Sequence, residues 1–144
     1  MIHNRHVIFA YMICATANIH INILIASKWM MPEYKCYWKV VEPDTKVAVA
    51  FGPVAAWKYG TDMSLFEGLH GRGDTYRTLL REATTALLNS YNSVQFPYPS
   101  LTVINRMNWA LLGSSQQALL MALRFKRANT GFSGRVGCNF SPCS

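Results

Sequence analysis

The sequence predicts an all-α fold, a small bundle of about four to five helices joined by short loops. Three observations lead there. Apolar residues recur at helical spacing from residue 44 onward, capping signals stand at the starts of these stretches, and no alternating strand-like segment competes with them. The chain of 144 residues is 51% apolar and 12% aromatic, which suits one hydrophobic core and argues against a disordered polymer.

Taken in order, Asp44 is placed to cap a helix through Val47, Phe51 and Ala55, which Gly52-Pro53 must break. Ser64-Leu65-Phe66-Glu67 reads as a capping box and opens a short helix that ends by Gly71 and Gly73. Asp74 occupies the next cap position, and Tyr76, Leu79, Leu80, Ala83, Leu87 and Tyr91 follow on one face, giving a helix over residues 75 to about 90. Leu88 falls opposite that face, so this helix is expected to be covered on more than one side. "FPYPS" at 96–100 stops one element and starts another, with Ser100 as cap and Val103, Ile104, Met107 and Leu111 on a stripe. Ser114-Ser115-Gln116-Gln117 is a second capping box, opening a last helix through Ala118, Leu119, Ala122 and Phe125 to a stop near Gly131. The short connections make these three helices packed neighbours.

Residues 1–26 read as a signal peptide: basic Arg5, an apolar run over residues 7–14, then Ala15-Thr16-Ala17, with cleavage expected after Ala17 or Ala26. The alternative joins residues 7–26 into an uncleaved anchor, which Asn18, His20 and Asn22 oppose. The plan is then a signal at 1–26, a helical domain at 34–131 and a cysteine-containing tail at 132–144. Signal removal takes Cys14 and leaves Cys36, Cys138 and Cys143 as disulfide candidates, an odd number, with both a Cys36 bond to the tail and a local Cys138–Cys143 loop open. Asn139-Phe140-Ser141 is a glycosylation sequon in that tail.

The net charge is +7, and all seven acids lie at or before Glu82, so residues 83–144 carry five positive charges and no negative one. The bases are scattered, which excludes a nucleic-acid tail and suits an acidic wall polymer or an extracellular protein; a membrane enters only if the first segment is uncleaved. Glu82 sits at the edge of its helix's apolar arc beside Asn89, with no basic residue three or four positions away. A catalytic acid needs a second group, and spacing places none, so Glu82 is read as a structural polar residue paired with Arg106 or Arg124 of a neighbouring helix. Trp38, Trp57 and Trp109 are candidate ligand-facing aromatics, with core filling as their ordinary role. Arg72-Gly73-Asp74 spells an adhesion tripeptide, yet turn chemistry and the Asp74 cap account for it. No catalytic, metal or cofactor-binding residue is expected, since nucleophile-elbow, phosphate-loop and zinc-ligand spacings are all missing.

The blocks "CYWK" (36–39), "YGTDMSLFEGL" (59–69), "LLREATTALLNSY" (79–91), "FPYP" (96–99) and "ALLGSSQQALLMALRFKRANTG" (110–131) resemble, in this order, the plant secreted domain found in protodermal factor 1 and related plant proteins. The likeness covers about residues 34–131. It implies a helical, extracellular or wall-associated domain, sometimes joined to a proline-rich region, with epidermal or developmental roles suggested and no established enzymatic activity. This chain departs from it in lacking such a region and in carrying "VVEPD" after "CYWK", where relatives tend to have a histidine close behind the tryptophan. The expected function is a secreted, non-enzymatic binding or structural module of the extracellular matrix or cell wall, its oligomeric state open. The alternatives are a membrane-anchored form of the same domain and an enzyme acting on wall polysaccharide.

Overall fold

The computed structural model describes Cys14, residues 20–131 and residues 136–144. Strand β1 (His20–Asn22) leads into helix α1 (Ala26–Trp29) and a 3-10 segment (Pro32–Tyr37). Helices α2 (Val47–Phe51), α3 (Pro53–Tyr59) and α4 (Leu65–Gly68) are short. Three longer helices follow, α5 (Thr75–Asn92), α6 (Ser100–Leu112) and α7 (Ser115–Thr130), and then strand β2 (Val136–Cys138). The fold is all-α in its mass, as the spacing predicts.

Side-chain caps set the starts of α4, α5 and α7. Asp74 Oδ1 accepts the Arg77 amide at 2.9 Å, and Ser64 accepts the Glu67 amide at 3.1 Å. Ser114 accepts the Gln117 amide at 3.2 Å while the Gln117 side chain accepts the Ser114 amide at 2.9 Å, completing a reciprocal box. Two expected caps differ. Lys46, not Asp44, precedes α2, because the Val47 amide is taken by the Met63 carbonyl at 2.8 Å and needs no side-chain acceptor. Ser100 is already helical, with Pro99 at the cap position of α6. Between α2 and α3, Gly52 takes φ 100°, a conformation that side chains disfavour, and Pro53 starts the next helix, where its missing N–H costs nothing.

Helix α5 is the centre. It buries Leu79, Leu80 and every residue from Glu82 to Asn89, a run longer than two turns, so it is enclosed around its whole circumference. Helix α7 packs on it through Ala118, Met121, Ala122, Phe125 and Ala128, where the alanines let the backbones approach closely. Helix α6 adds Val103, Met107 and Ala110.

The two strands pair in parallel, His20 against Val136, Ile21 against Gly137 and Asn22 against Cys138. A parallel pair requires a long crossover, and here the helical body is that crossover. Ile21, Ile23 and Leu24 are buried in the same core as the helices. This corrects the expected boundaries: residues 20–26 belong to the fold, so it starts before residue 34, cleavage after Ala26 would remove core residues, and an anchor over 7–26 would compete with this packing. The rest of the expected signal segment lies outside the described residues, Cys14 excepted. Among the described residues, no helix is long and apolar enough to cross a membrane.

Disulfides join Cys14 to Cys138 and Cys36 to Cys143, with Cα atoms 5.7 and 5.9 Å apart, ordinary values for the bond. The odd cysteine expected from signal removal is thereby corrected for the chain described: Cys14 is the fourth partner, and a signal cut after Ala17 would take that partner away. The local Cys138–Cys143 loop does not form, and the segment 136–144 is part of the fold.

Candidate functional site

Trp29 of α1 is buried, and its indole N–H donates to Asn89 Oδ1 at 3.3 Å. Trp38 packs edge-to-face on it, centroids 6.1 Å apart and planes at 83°, and donates its own N–H to the Trp29 carbonyl at 3.2 Å. Trp38 is thus fixed at ring and polar tip while part of it stays open to solvent. Two hollows of about 360 and 470 Å³ share Lys35, Trp38 and Pro43. The first is walled by Met30, Met31, Pro32 and Phe66, the second by Glu42 and Asp44. They adjoin as one cleft with an apolar end and a charged end, a combination that binding sites use for contact and orientation.

The chain beyond β2 braces the segments that carry this cleft. Phe140 stacks on Tyr37 with centroids 4.7 Å apart and meets Trp29 edge-on at 6.3 Å. The Tyr37 hydroxyl donates to the Ser141 carbonyl at 2.6 Å, and the Cys143 amide donates to the Glu33 carbonyl at 2.6 Å. Together with the Cys36–Cys143 bond, these contacts fix the 3-10 segment that carries Lys35. Just past Trp38, Val40 takes φ 65°, left-handed and strained for a β-branched residue, and the Val41 amide bonds the Lys39 carbonyl around it.

Glu82 lies away from the cleft and lines neither hollow. It is 6% exposed, its carboxylate 3.5 Å from Arg81 Nε and 3.4 Å from the Asn129 amide nitrogen, which also donates to the Glu82 carbonyl at 3.0 Å. Arg81 in turn donates to the Gly71 carbonyl at 2.7 Å. The expected partners, Arg106 and Arg124, are exposed on α6 and α7, so the pairing assigned to them is corrected. Asn129 continues to Asn89, whose Nδ2 donates to Asn129 Oδ1 at 3.1 Å and to the Leu24 carbonyl at 2.9 Å, while Asn89 Oδ1 accepts the Leu24 amide at 2.8 Å. This buried chain of polar groups ties the strand end to α5 and α7.

The three tryptophans do not share a surface groove. Trp57 is 84% exposed on α3 and Trp109 41% exposed on α6, and neither lines the cleft, which keeps only Trp38. Arg72 and Gly73 are exposed, and both Asp74 oxygens are engaged by Arg77, at 2.9 Å to its amide and 3.5 Å to its side chain. Asn139 is exposed between the bonded Cys138 and the stacked Phe140. Spacing missed Met30, Met31, Lys35 and Phe66, because they meet Trp38 only in the fold; the apolar Met30-Met31-Pro32 run ahead of Glu33 was the available signal.

The family model of the protodermal factor 1 C-terminal domain matches residues 26–136, more than half of the chain. Neither the search of curated proteins nor that of solved structures finds a match.

Proposed function

Because the chain belongs to the protodermal factor 1 C-terminal domain family, we propose that it is a secreted plant module of the cell wall or extracellular matrix that works by binding and not by catalysis. One observation carries this reading: two disulfides join cysteines 124 and 107 residues apart. Such bonds persist in oxidising compartments and are rare in the cytosol, and each alone is worth about 4 to 5 kcal/mol in the chain-entropy model. The binding surface is the Trp38 cleft. An apolar ring face of a wall polymer suits the open part of Trp38, and Lys35, Glu42 and Asp44 offer donors and acceptors to its hydroxyls. Glu82 supports the non-enzymatic reading, since its carboxylate is already committed to Asn129 and Arg81.

The test is a titration of the disulfide-intact protein with oligosaccharides of wall polymers, followed by tryptophan fluorescence, beside an assay for their hydrolysis. Saturable binding that Trp38→Ala abolishes, without hydrolysis, is expected. Binding indifferent to Trp38→Ala would refute the cleft, and hydrolysis lost in Glu82→Gln would make the protein an enzyme.

A further inference from the structure

Helices α6 and α7 leave an apolar face uncovered. Helix α7 turns Ala118, Met121, Ala122 and Phe125 inward and leaves Leu119, Leu120 and Leu123 exposed. Helix α6, packed beside it, leaves Leu101, Trp109 and Leu112 exposed. Single exposed leucines are ordinary, but Leu119, Leu120 and Leu123 share an arc of about 100° on α7, and Leu101, Trp109 and Leu112 an arc of about 80° on the neighbouring α6. Arg106, Arg124, Lys126 and Arg127 are exposed among them, and no acidic residue follows Glu82 in the chain. On α7 the leucines and Arg124 and Arg127 fall within one arc of about 140°.

We propose that this face docks on a lipid surface rich in anionic headgroups. Leucines interleaved with arginine and lysine are the pattern of helices that lie in a membrane interface: the apolar chains enter the acyl boundary while the bases meet phosphate. Trp109 is of the residue type that prefers that boundary. A second copy fits poorly, because two-fold pairing of this face sets four basic residues against four more with no acid between them. A hydrophilic polyanion would engage the bases and leave the leucines in water. Neither hollow of the cleft includes a residue of α6 or α7, and a bilayer, unlike a folded partner, needs no shaped groove.

The experiment is sedimentation of the full, disulfide-intact chain with vesicles of phosphatidylcholine alone and of phosphatidylcholine with phosphatidylglycerol. Binding to the anionic vesicles that weakens with salt is expected, with little binding to the neutral ones. Leu119→Ser with Leu123→Ser lowers the partition coefficient at least about tenfold, and Arg124→Gln, Lys126→Gln and Arg127→Gln together lower it about a hundredfold. Both sets keep a cooperative urea transition, because all five side chains lie on the exposed side of α7. Absence of binding to anionic vesicles, or equal binding by all variants, overturns the proposal. So does a dimer that Leu119→Ser with Leu123→Ser dissolves, or retention by a soluble polyanion alone. Failure here leaves the cleft reading standing, since Trp38 is not on this face.

Discussion

Removing the Asn89 side chain tests the core of the fold. Asn89→Ala deletes four hydrogen bonds at once: to the Leu24 amide and carbonyl, to the Trp29 indole and to Asn129 Oδ1. Leu24, Trp29 and Asn129 are at most 1% exposed, so water reaches none of these groups without rearrangement. Each orphaned buried group costs about 1 to 3 kcal/mol, and the low end applied to the four gives a loss of about 4 kcal/mol. Small domains hold about 5 to 15 kcal/mol, so the variant is expected to keep only about 1 to 11 kcal/mol, a loss that a urea transition resolves. Equilibrium unfolding in urea, with disulfides intact and tryptophan fluorescence as readout, measures the loss. Asn129→Ala breaks the same chain one link further on, and in the double variant the two losses are expected to fall short of additivity by about 1 kcal/mol. A loss below about 1 kcal/mol for Asn89→Ala, or strict additivity, would refute the reasoning.

Three further outcomes are expected. Thr84 is fully buried and its hydroxyl has no hydrogen-bond partner among the described residues, so Thr84→Val should raise the urea-derived stability by about 1 kcal/mol; a loss would show that the hydroxyl is satisfied. Val40 is 81% exposed at φ 65°, so Val40→Gly relieves strain at no packing cost, and a gain of about 0.5 kcal/mol is expected by thermal melting after the entropy of glycine is deducted. Burial, then the charge of Asp74, then Tyr76, push the Tyr59 phenol well above its ordinary value, while its hydroxyl donates to the Tyr76 carbonyl at 2.6 Å. A raised folded-state value means stability present below about pH 10 and lost as pH rises through the unfolded and then toward the folded value. Urea midpoints should therefore fall between about pH 9 and pH 11, and fall less in Tyr59→Phe; an unchanged slope counts against this assignment.

What the sequence reveals and what it hides divides by distance along the chain. Asp74, Ser64 and Ser114 each bond an amide three residues on, so the residues within one turn decide those starts. Leu88 on the far side of the α5 wheel correctly marks a helix covered all round. Asp44 and Ser100 look equally good as caps, but a carbonyl from Met63 and a proline at position 99 take their places. Glu82 shows the same limit. Neighbouring residues on a helix normally point apart, yet the long Arg81 side chain reaches both Gly71 and Glu82, and the other partner, Asn129, lies 47 residues away. Asn89 and Asn129 are polar residues that helix interiors disfavour, a visible clue to a buried role, but only the fold shows that they bond each other. Cys14 was hidden differently: its neighbourhood reads as a segment to be removed, although its partner at 138 is in plain view. The cleft is the least legible feature, because Trp38, Met30 and Phe66 converge from three separate elements.

The measurement closest to the central claim is intact mass and peptide mapping of the protein recovered from the plant extracellular space, before and after reduction. An extracellular, doubly closed module gains four hydrogens on reduction, takes no thiol label before it, and yields Cys14–Cys138 and Cys36–Cys143 peptides. Recovery only from the cytosol with free thiols, or a secreted chain that begins after Ala17 and lacks Cys14, would contradict it.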